Sequence, residues 1–218
     1  MRVLSALFGL IASPVFACDV ALVLAVDVSG SVDVDEYRIQ MDGLAAALED
    51  GAVSEALVVH QAQVMVLQWT GASRQVVSVP WTHVTDFQIA DRLAQEVRDT
   101  RRKWRNFSTA IGEAVGVALD AFDDVPDCER RVIDVSGDGQ SNEGVPPADM
   151  KRAALARGVT INGLAIEASD EGLTEYYREH LIAGPGSFAI RAVDFDDYPA
   201  RIRQKLLREI TKQFAGLD

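Results

Sequence analysis

Residues 27–31, Asp-Val-Ser-Gly-Ser, set one carboxylate and two hydroxyls within five positions, directly after the apolar run Ala-Leu-Val-Leu-Ala-Val at 21–26. Three hard oxygens of this kind suit Mg2+ or Mn2+, which take carboxylate, hydroxyl and water oxygens. Standing alone, the pattern reads more simply as a strand, a Ser/Gly turn and a helix cap. Two later stretches carry the same chemistry and change that balance. Thr109 lies in Asn-Phe-Ser-Thr-Ala at 106–110, and Asp138 follows Arg-Val-Ile-Asp-Val-Ser-Gly at 131–137 and opens Asp-Gly-Gln-Ser-Asn at 138–142. Each follows an apolar segment or opens a helix. One sheet could therefore bring Asp27, Ser29, Ser31, Thr109 and Asp138 to the edge where open α/β sheets bind ligands.

The intervening elements must do that positioning. Residues 21–26 are long enough for one strand buried on both faces. From 33 to 49, Val34, Tyr37, Met41, Leu44 and Leu48 follow helical spacing, and Asp33 with Glu36 forms a capping-box pattern. Within residues 56–70, the stretch 64–69 reads as a strand; Gly71-Ala-Ser73 is a turn, and 75–79 a return strand stopped by Pro80. So short a connection implies an antiparallel hairpin at the sheet edge. Residues 87–97 are amphipathic. Thr109 is placed to cap a helix whose inner face holds Ile111, Ala114, Val115, Ala118, Leu119 and Phe122. Pro146 and Pro147 open a helix through Arg157, and 159–166 is another strand. A helix over 173–182, a strand over 187–192 and a closing helix with Ile202, Leu206, Ile210 and Phe214 complete the chain. The alternation argues a doubly wound, mostly parallel α/β sheet with helices on both faces.

Residues 1–17 read as a secretory signal peptide: Arg2, a short apolar stretch, and Val15-Phe16-Ala17 before a cleavage point. The expectation is a single domain from 18 to 218 in a secreted or periplasmic protein, with no membrane span. Cys18 after the cut raises a lipoprotein reading, which Phe16 fits poorly. The net charge of −12 argues against a nucleic-acid partner. Cys18 lies 9 residues before Asp27 and Cys128 lies 10 before Asp138. If those aspartates end neighbouring parallel strands, strand rise and spacing bring the cysteines within bridging range, and we expect a Cys18–Cys128 disulfide. The one basic concentration is residues 98–105. A solvated loop is the common fate of such a run. Its position before Thr109 makes Arg101, Arg102, Lys103, Trp104 and Arg105 candidates for partner contact.

Asp27-x-Ser29-x-Ser31, Thr109 in Ser-Thr-Ala-Ile-Gly and Asp138 in Ser-Gly-Asp-Gly-Gln-Ser-Asn occur in the order found in the von Willebrand factor type A (vWA) family. The chain resembles that family over most of residues 19–214, and more narrowly a bacterial group of exported type A domains. The resemblance implies a six-stranded sheet of order 3-2-1-4-5-6 with strand 3 antiparallel. It implies that the five residues form a metal-ion-dependent adhesion site (MIDAS). Ser29, Ser31 and Thr109 then supply neutral oxygens, while Asp27 and Asp138 bind Mg2+ or Mn2+ directly or through water. It further implies a protein partner whose acidic side chain takes the ion's open position. Ser108 is the alternative ligand beside Thr109, and Ser-Gly before Asp138 departs from the family's usual loop. A calcium-loop reading of 138–149 fails, because position 6 lacks Gly and position 12 is Asp149; Asn142 and Glu143 read as loop-shaping residues.

Catalytic signatures are missing: there is no Gly-x-Ser-x-Gly elbow, phosphate loop or Gly-x-Gly-x-x-Gly, and His60, His83 and His180 are scattered. We expect a binding module rather than an enzyme. Metal-assisted hydrolysis is the runner-up, with Asp27, Asp138 or Glu143 as base. A scaffold with a vestigial site is the third reading.

Overall fold

Strand β1 (Cys18–Asp27) is buried almost end to end, as a strand covered on both faces must be. Its side chains alternate between two apolar layers. Val20, Leu22, Leu24 and Val26 join one cluster, and Ala21, Val23 and Ala25 the other. The computed structural model describes residues 18–211. The expected signal peptide and Phe214 lie outside them.

β1 pairs in parallel with β2 (Gln63–Trp69) and with β4 (Cys128–Gly137). β3 (Gln75–His83) runs antiparallel to β2 at one edge, and β5 (Val159–Ile166) and β6 (Ala189–Ala192) continue the sheet in parallel on the other. The order is β3-β2-β1-β4-β5-β6, as expected. The helices α1 (Val34–Glu49), α2 (Gly51–Val59), α3 (Phe87–Asp99) and α7 (Tyr198–Thr211) pack into the first layer. Those of the second are α4 (Ile111–Ala121), α5 (Pro147–Ala156) and α6 (Leu173–Tyr176). None of the described helices is long and apolar enough to cross a membrane.

Several elements differ from expectation. Helix α2 is unforeseen: Asp50 ends α1 and its carboxylate then accepts from the N–H groups of Ala52 and Val53, starting a second helix at once. Strand β3 runs through Pro80 to His83. On an edge strand the missing N–H costs no ladder bond, and β2–β3 carries register shifts there. The helix expected over 173–182 is α-helical only to Tyr176 and continues as a π-helical turn, Tyr177–Leu181. The last strand begins at Ala189 rather than 187.

The Cys18–Cys128 disulfide is present, with Cα atoms 4.7 Å apart. The cysteines face each other in register, so the one-residue offset inferred from the spacing falls at the other end. Val26 pairs with Ser136, which leaves Asp138 one step beyond the level of Asp27. With its sulfur in the bridge, Cys18 has no thiol for lipid, which removes the support for the lipoprotein reading.

Candidate metal centre

The C-terminal ends of β1 and β4 lie side by side, so the Asp27 and Asp138 loops leave the sheet together. After Asp27 the chain turns sharply. The Ser29 N–H donates to Asp27 Oδ1 at 2.7 Å, closing an Asx-type turn that aims both serines back at the strand end. Ser29 Oγ and Ser31 Oγ are 3.1 Å apart, and Ser31 Oγ donates to Asp138 Oδ1 at 2.7 Å. Asp33 then caps α1, with the reciprocal Glu36 bond completing the capping box. Gly30 sits in close approach: its N–H donates to the Phe107 carbonyl at 2.8 Å, and a Cβ would sit a tight 3.2 Å from that oxygen. The serine loop thus rests on the segment that leads to Thr109.

Thr109 does not cap α4, contrary to expectation. The cap position is Ala110, without a side-chain bond, and Ser141 Oγ instead accepts from the Ile111 N–H. The Thr109 backbone is held by Asn142: its N–H donates to Asn142 Oδ1, and its carbonyl accepts from the Asn142 N–H, both at 2.9 Å. The hydroxyl, free of capping duty, lies 4.0 Å from where a Cβ on Gly139 would be, beside Asp138. Thr109 is buried, whereas the alternative, Ser108, is exposed. Asn142 and Glu143 shape the loops as expected, the latter accepting from the Ala72 N–H.

Asp27, Ser29 and Asp138 are buried, and Ser31 is exposed at the mouth. Burial, reinforced by the charge of Asp138, pushes the Asp27 carboxyl up to about 8. Burial likewise raises Asp138, against the Ser31 hydrogen bond that lowers it. Asp27 Oδ2 is fully buried without a hydrogen-bond partner, and unmet buried acceptors are rare and costly. Among the described residues, no three His, Cys, Asp or Glu side chains gather as a metal group. Any cation here would rest on two carboxylates and three hydroxyls. That donor set fits a hard divalent ion, and the orphaned oxygen fits one more positive neighbour.

Two participants were not recognised for their roles from sequence. Arg102 was expected to contact a partner, but its guanidinium turns inward, donating to the carbonyls of Val28 at 3.0 Å, Ser29 at 2.7 Å and Asp33 at 3.1 Å. It braces the serine loop, and its charge lowers both Asp27 and Asp138 against their burial. Trp104 packs against the first apolar layer, leaving Arg101, Lys103 and Arg105 exposed. Tyr177 is the second. Its ring crosses Gly163, and its unpartnered hydroxyl and Asp27 Oδ2 lie 2.9 and 3.0 Å from where a Cβ on Gly137 would be. Any side chain at Gly137 would crowd both. The glycines at 137 and 163 were the only sequence trace of that approach.

With this strand order and loop cluster, the molecule has the fold of a von Willebrand factor type A domain. Solved structures agree. Proximal thread matrix protein 1 of the mussel byssus, in a structure with a zinc-occupied MIDAS motif, has a TM-score of 0.66 at 20% identity, over 90% of this chain and 49% of its own. A von Willebrand factor type A protein from Catenulispora acidiphila gives 0.62 at 20%, over 88% and 43%. An aerotolerance-related membrane protein from Bacteroides fragilis gives 0.55 at 18%, over 86% and 98%. The chain therefore spans about half the length of the first two or less, and likeness at these identities speaks for the fold. No curated protein matches it. By its own sequence the chain belongs to the DUF1194 family, described as a protein of unknown function, which matches residues 17–214.

Proposed function

We propose that this protein is an exported, divalent-cation-dependent binding module that captures an acidic group of a protein partner. The observation that carries the reading is the convergence of Ser29, Ser31 and Asp138 at the end of β1, where the buried Asp27 Oδ2 has no hydrogen-bond partner and burial raises both carboxyls. Ser29, Ser31 and Thr109 would hold the ion with neutral oxygens, and Asp27 and Asp138 would hold it directly or through water. Bound Mg2+ or Mn2+ supplies an electrophilic centre that a carboxylate oxygen can complete. This chain's own residues do the rest. Arg102 fixes the serine loop, Asn142 fixes Thr109, and Ser31 stands exposed at the mouth where a partner arrives. The disulfide supports an oxidising compartment, hence export.

An enzyme is the weaker reading. Glu143, one expected base, already accepts from the Ala72 N–H, and none of the hydrogen bonds at the site involves a histidine. The test is titration calorimetry with Mg2+ and Mn2+, paired with partner capture from a cell-envelope extract with and without chelator. We expect Asp27→Ala and Ser31→Ala to remove measurable metal binding and metal-dependent capture while the protein still folds. Capture that survives both variants and chelation would refute the mechanism.

A further inference from the structure

Beside the metal centre, a cleft of about 680 Å³ opens between α1 and the segment that follows α3. Arg38, Arg101, Arg102 and Arg105 line it, with Val34 and Tyr37 as its apolar part. Two aspartates, Asp35 and Asp99, also line it; with Arg38 beside Asp42 and the Arg102 guanidinium turned onto the serine loop, Arg101 and Arg105 are the lining arginines not engaged elsewhere. The run that supplies them, residues 98–105, is the one basic concentration in a chain of net charge −12. Several other surface arginines stand against acids, Arg98 on Glu49, Arg157 on Asp120 and Asp123, and Arg203 on Asp50, and in the cleft Arg38 stands against Asp42. Among the described residues, neither Arg101 nor Arg105 has a carboxylate within ion-pairing distance, and Arg102 spends its donors on backbone carbonyls. Arg105 is near enough that its charge opposes that of Arg102.

The wall is rigid where it matters. Gln68, buried at the end of β2, donates to the Arg101 carbonyl at 3.0 Å and accepts from the Lys103 N–H at 2.9 Å. Tyr37 Oη donates to the Thr100 carbonyl at 3.0 Å. The backbone of 100–103 is thus fastened to the core while Arg101 and Arg105 project outward. Arg102 belongs to both places, lining the cleft and holding the Val28 and Ser29 carbonyls. A chain seated at the metal centre can therefore continue directly into the cleft.

We infer that the cleft receives a carboxylate-rich, extended peptide segment of the partner, contiguous with the acidic group taken at the metal centre. The inference rests on the proposed function only for that contiguity; the exposed, unpaired Arg101 and Arg105 on a fastened backbone stand by themselves. Paired guanidinium donors recognise carboxylates through parallel N–H bonds, and such rim charges act on encounter rate and salt dependence.

The probe is a fluorescein-labelled, end-capped hexaglutamate peptide, followed by anisotropy with Mg2+ and with chelator, across a salt series. We expect wild-type protein to bind it in Mg2+, with affinity falling as salt rises. Arg101→Glu with Arg105→Glu should weaken binding by roughly tenfold or more, since two attractions become repulsions, while Mg2+ titration stays at the wild-type value. Asp27→Ala should lose the chelator-sensitive part and keep a weaker, salt-sensitive, arginine-dependent part. If the reversal variant binds like wild type, or wild type does not bind the peptide, the cleft inference is overturned. Tighter binding of polyphosphate or single-stranded DNA than of the peptide overturns its choice of carboxylates. If chelator and Asp27→Ala change nothing while the reversal abolishes binding, the cleft stands and the metal reading falls.

Discussion

Asp27 sits where three constraints meet. Its Oδ1 closes the serine turn, its Oδ2 has no partner, and its burial beside Asp138 pushes its carboxyl up to about 8. A carboxyl raised above its unfolded value of 3.8 adds stability that is full below that value and lost as pH rises through about 8. A cation held by Asp27 would reverse the cost, because it would need the ionised form and would displace the proton. We expect apparent Mg2+ affinity to rise by about tenfold per pH unit as pH approaches 8 and to level off above it, one displaced proton setting the slope. Calorimetry over that range checks this, with Asp27→Asn expected to bind weakly at every pH and with a shallower slope, Asp138 being then the one raised carboxyl at the site. A flat wild-type profile would remove Asp27 from the ligand set. Asp27 and Asp138 stand out in the sequence because they end apolar strands, and Ser29, Ser31 and Thr109 because their order with them resembles the von Willebrand factor type A pattern. Arg102 and Tyr177 do not. Their roles depend on what the guanidinium and the phenol meet across the fold, and no local spacing records that.

At the scale of elements, α7 combines a legible half with a hidden one. Ile202, Leu206 and Ile210 announce an amphipathic helix, and they are buried. Lys205 and Glu209 share that buried face, although their types suggest water. Lys205 Nζ is 2.6 Å from Asp134 Oδ1 on β4 and 2.7 Å from Glu209 Oε1, and Glu209 also accepts from Asn162 Nδ2 on β5 at 2.8 Å. Two acids thus face one lysine. Burial first, then the Asp134 charge, raises Glu209 to about 8 against the lowering effect of Lys205. The sign follows as for Asp27: the contribution is full below 4.5 and lost as pH rises through about 8. Glu209→Gln keeps an acceptor for Lys205 and Asn162 while removing the surplus charge. We expect the wild type to lose stability relative to this variant from about pH 5 to 8, with a slope of at most about 1.4 kcal/mol per unit. Denaturant unfolding at both ends of the range measures it; parallel curves would mean that Glu209 ionises freely in the fold. Helix α2 and the passage of β3 through Pro80 were hidden for a related reason. A capping carboxylate at Asp50 and an edge position in the sheet decide those elements, and a continuous apolar run shows neither.

Across the whole molecule, the parallel strands separate two jobs onto two ends. The donors gather where β1 and β4 finish, and the disulfide joins the same two strands where they begin, with a sequence separation of 110 residues. A link across so long a loop constrains the unfolded chain more than a short one does, and losing a native bridge typically costs about 2–5 kcal/mol. For a domain of this size that corresponds to a fall in melting temperature of about 4–20 °C. Between the two ends lie the fully buried middles of β1 and β4, from Val20 to Val26 and from Ile133 to Val135, packed on both faces. A core packed in this way holds its geometry as long as it stays folded. We therefore expect Cys18→Ser with Cys128→Ser to lower the melting temperature by that amount while Mg2+ affinity stays within about twofold of wild type below the transition. Scanning calorimetry and metal titration on the same samples decide the matter. A matched fall in both would mean that the bridge sets the strand register at the metal centre as well, and that the two ends act as one unit.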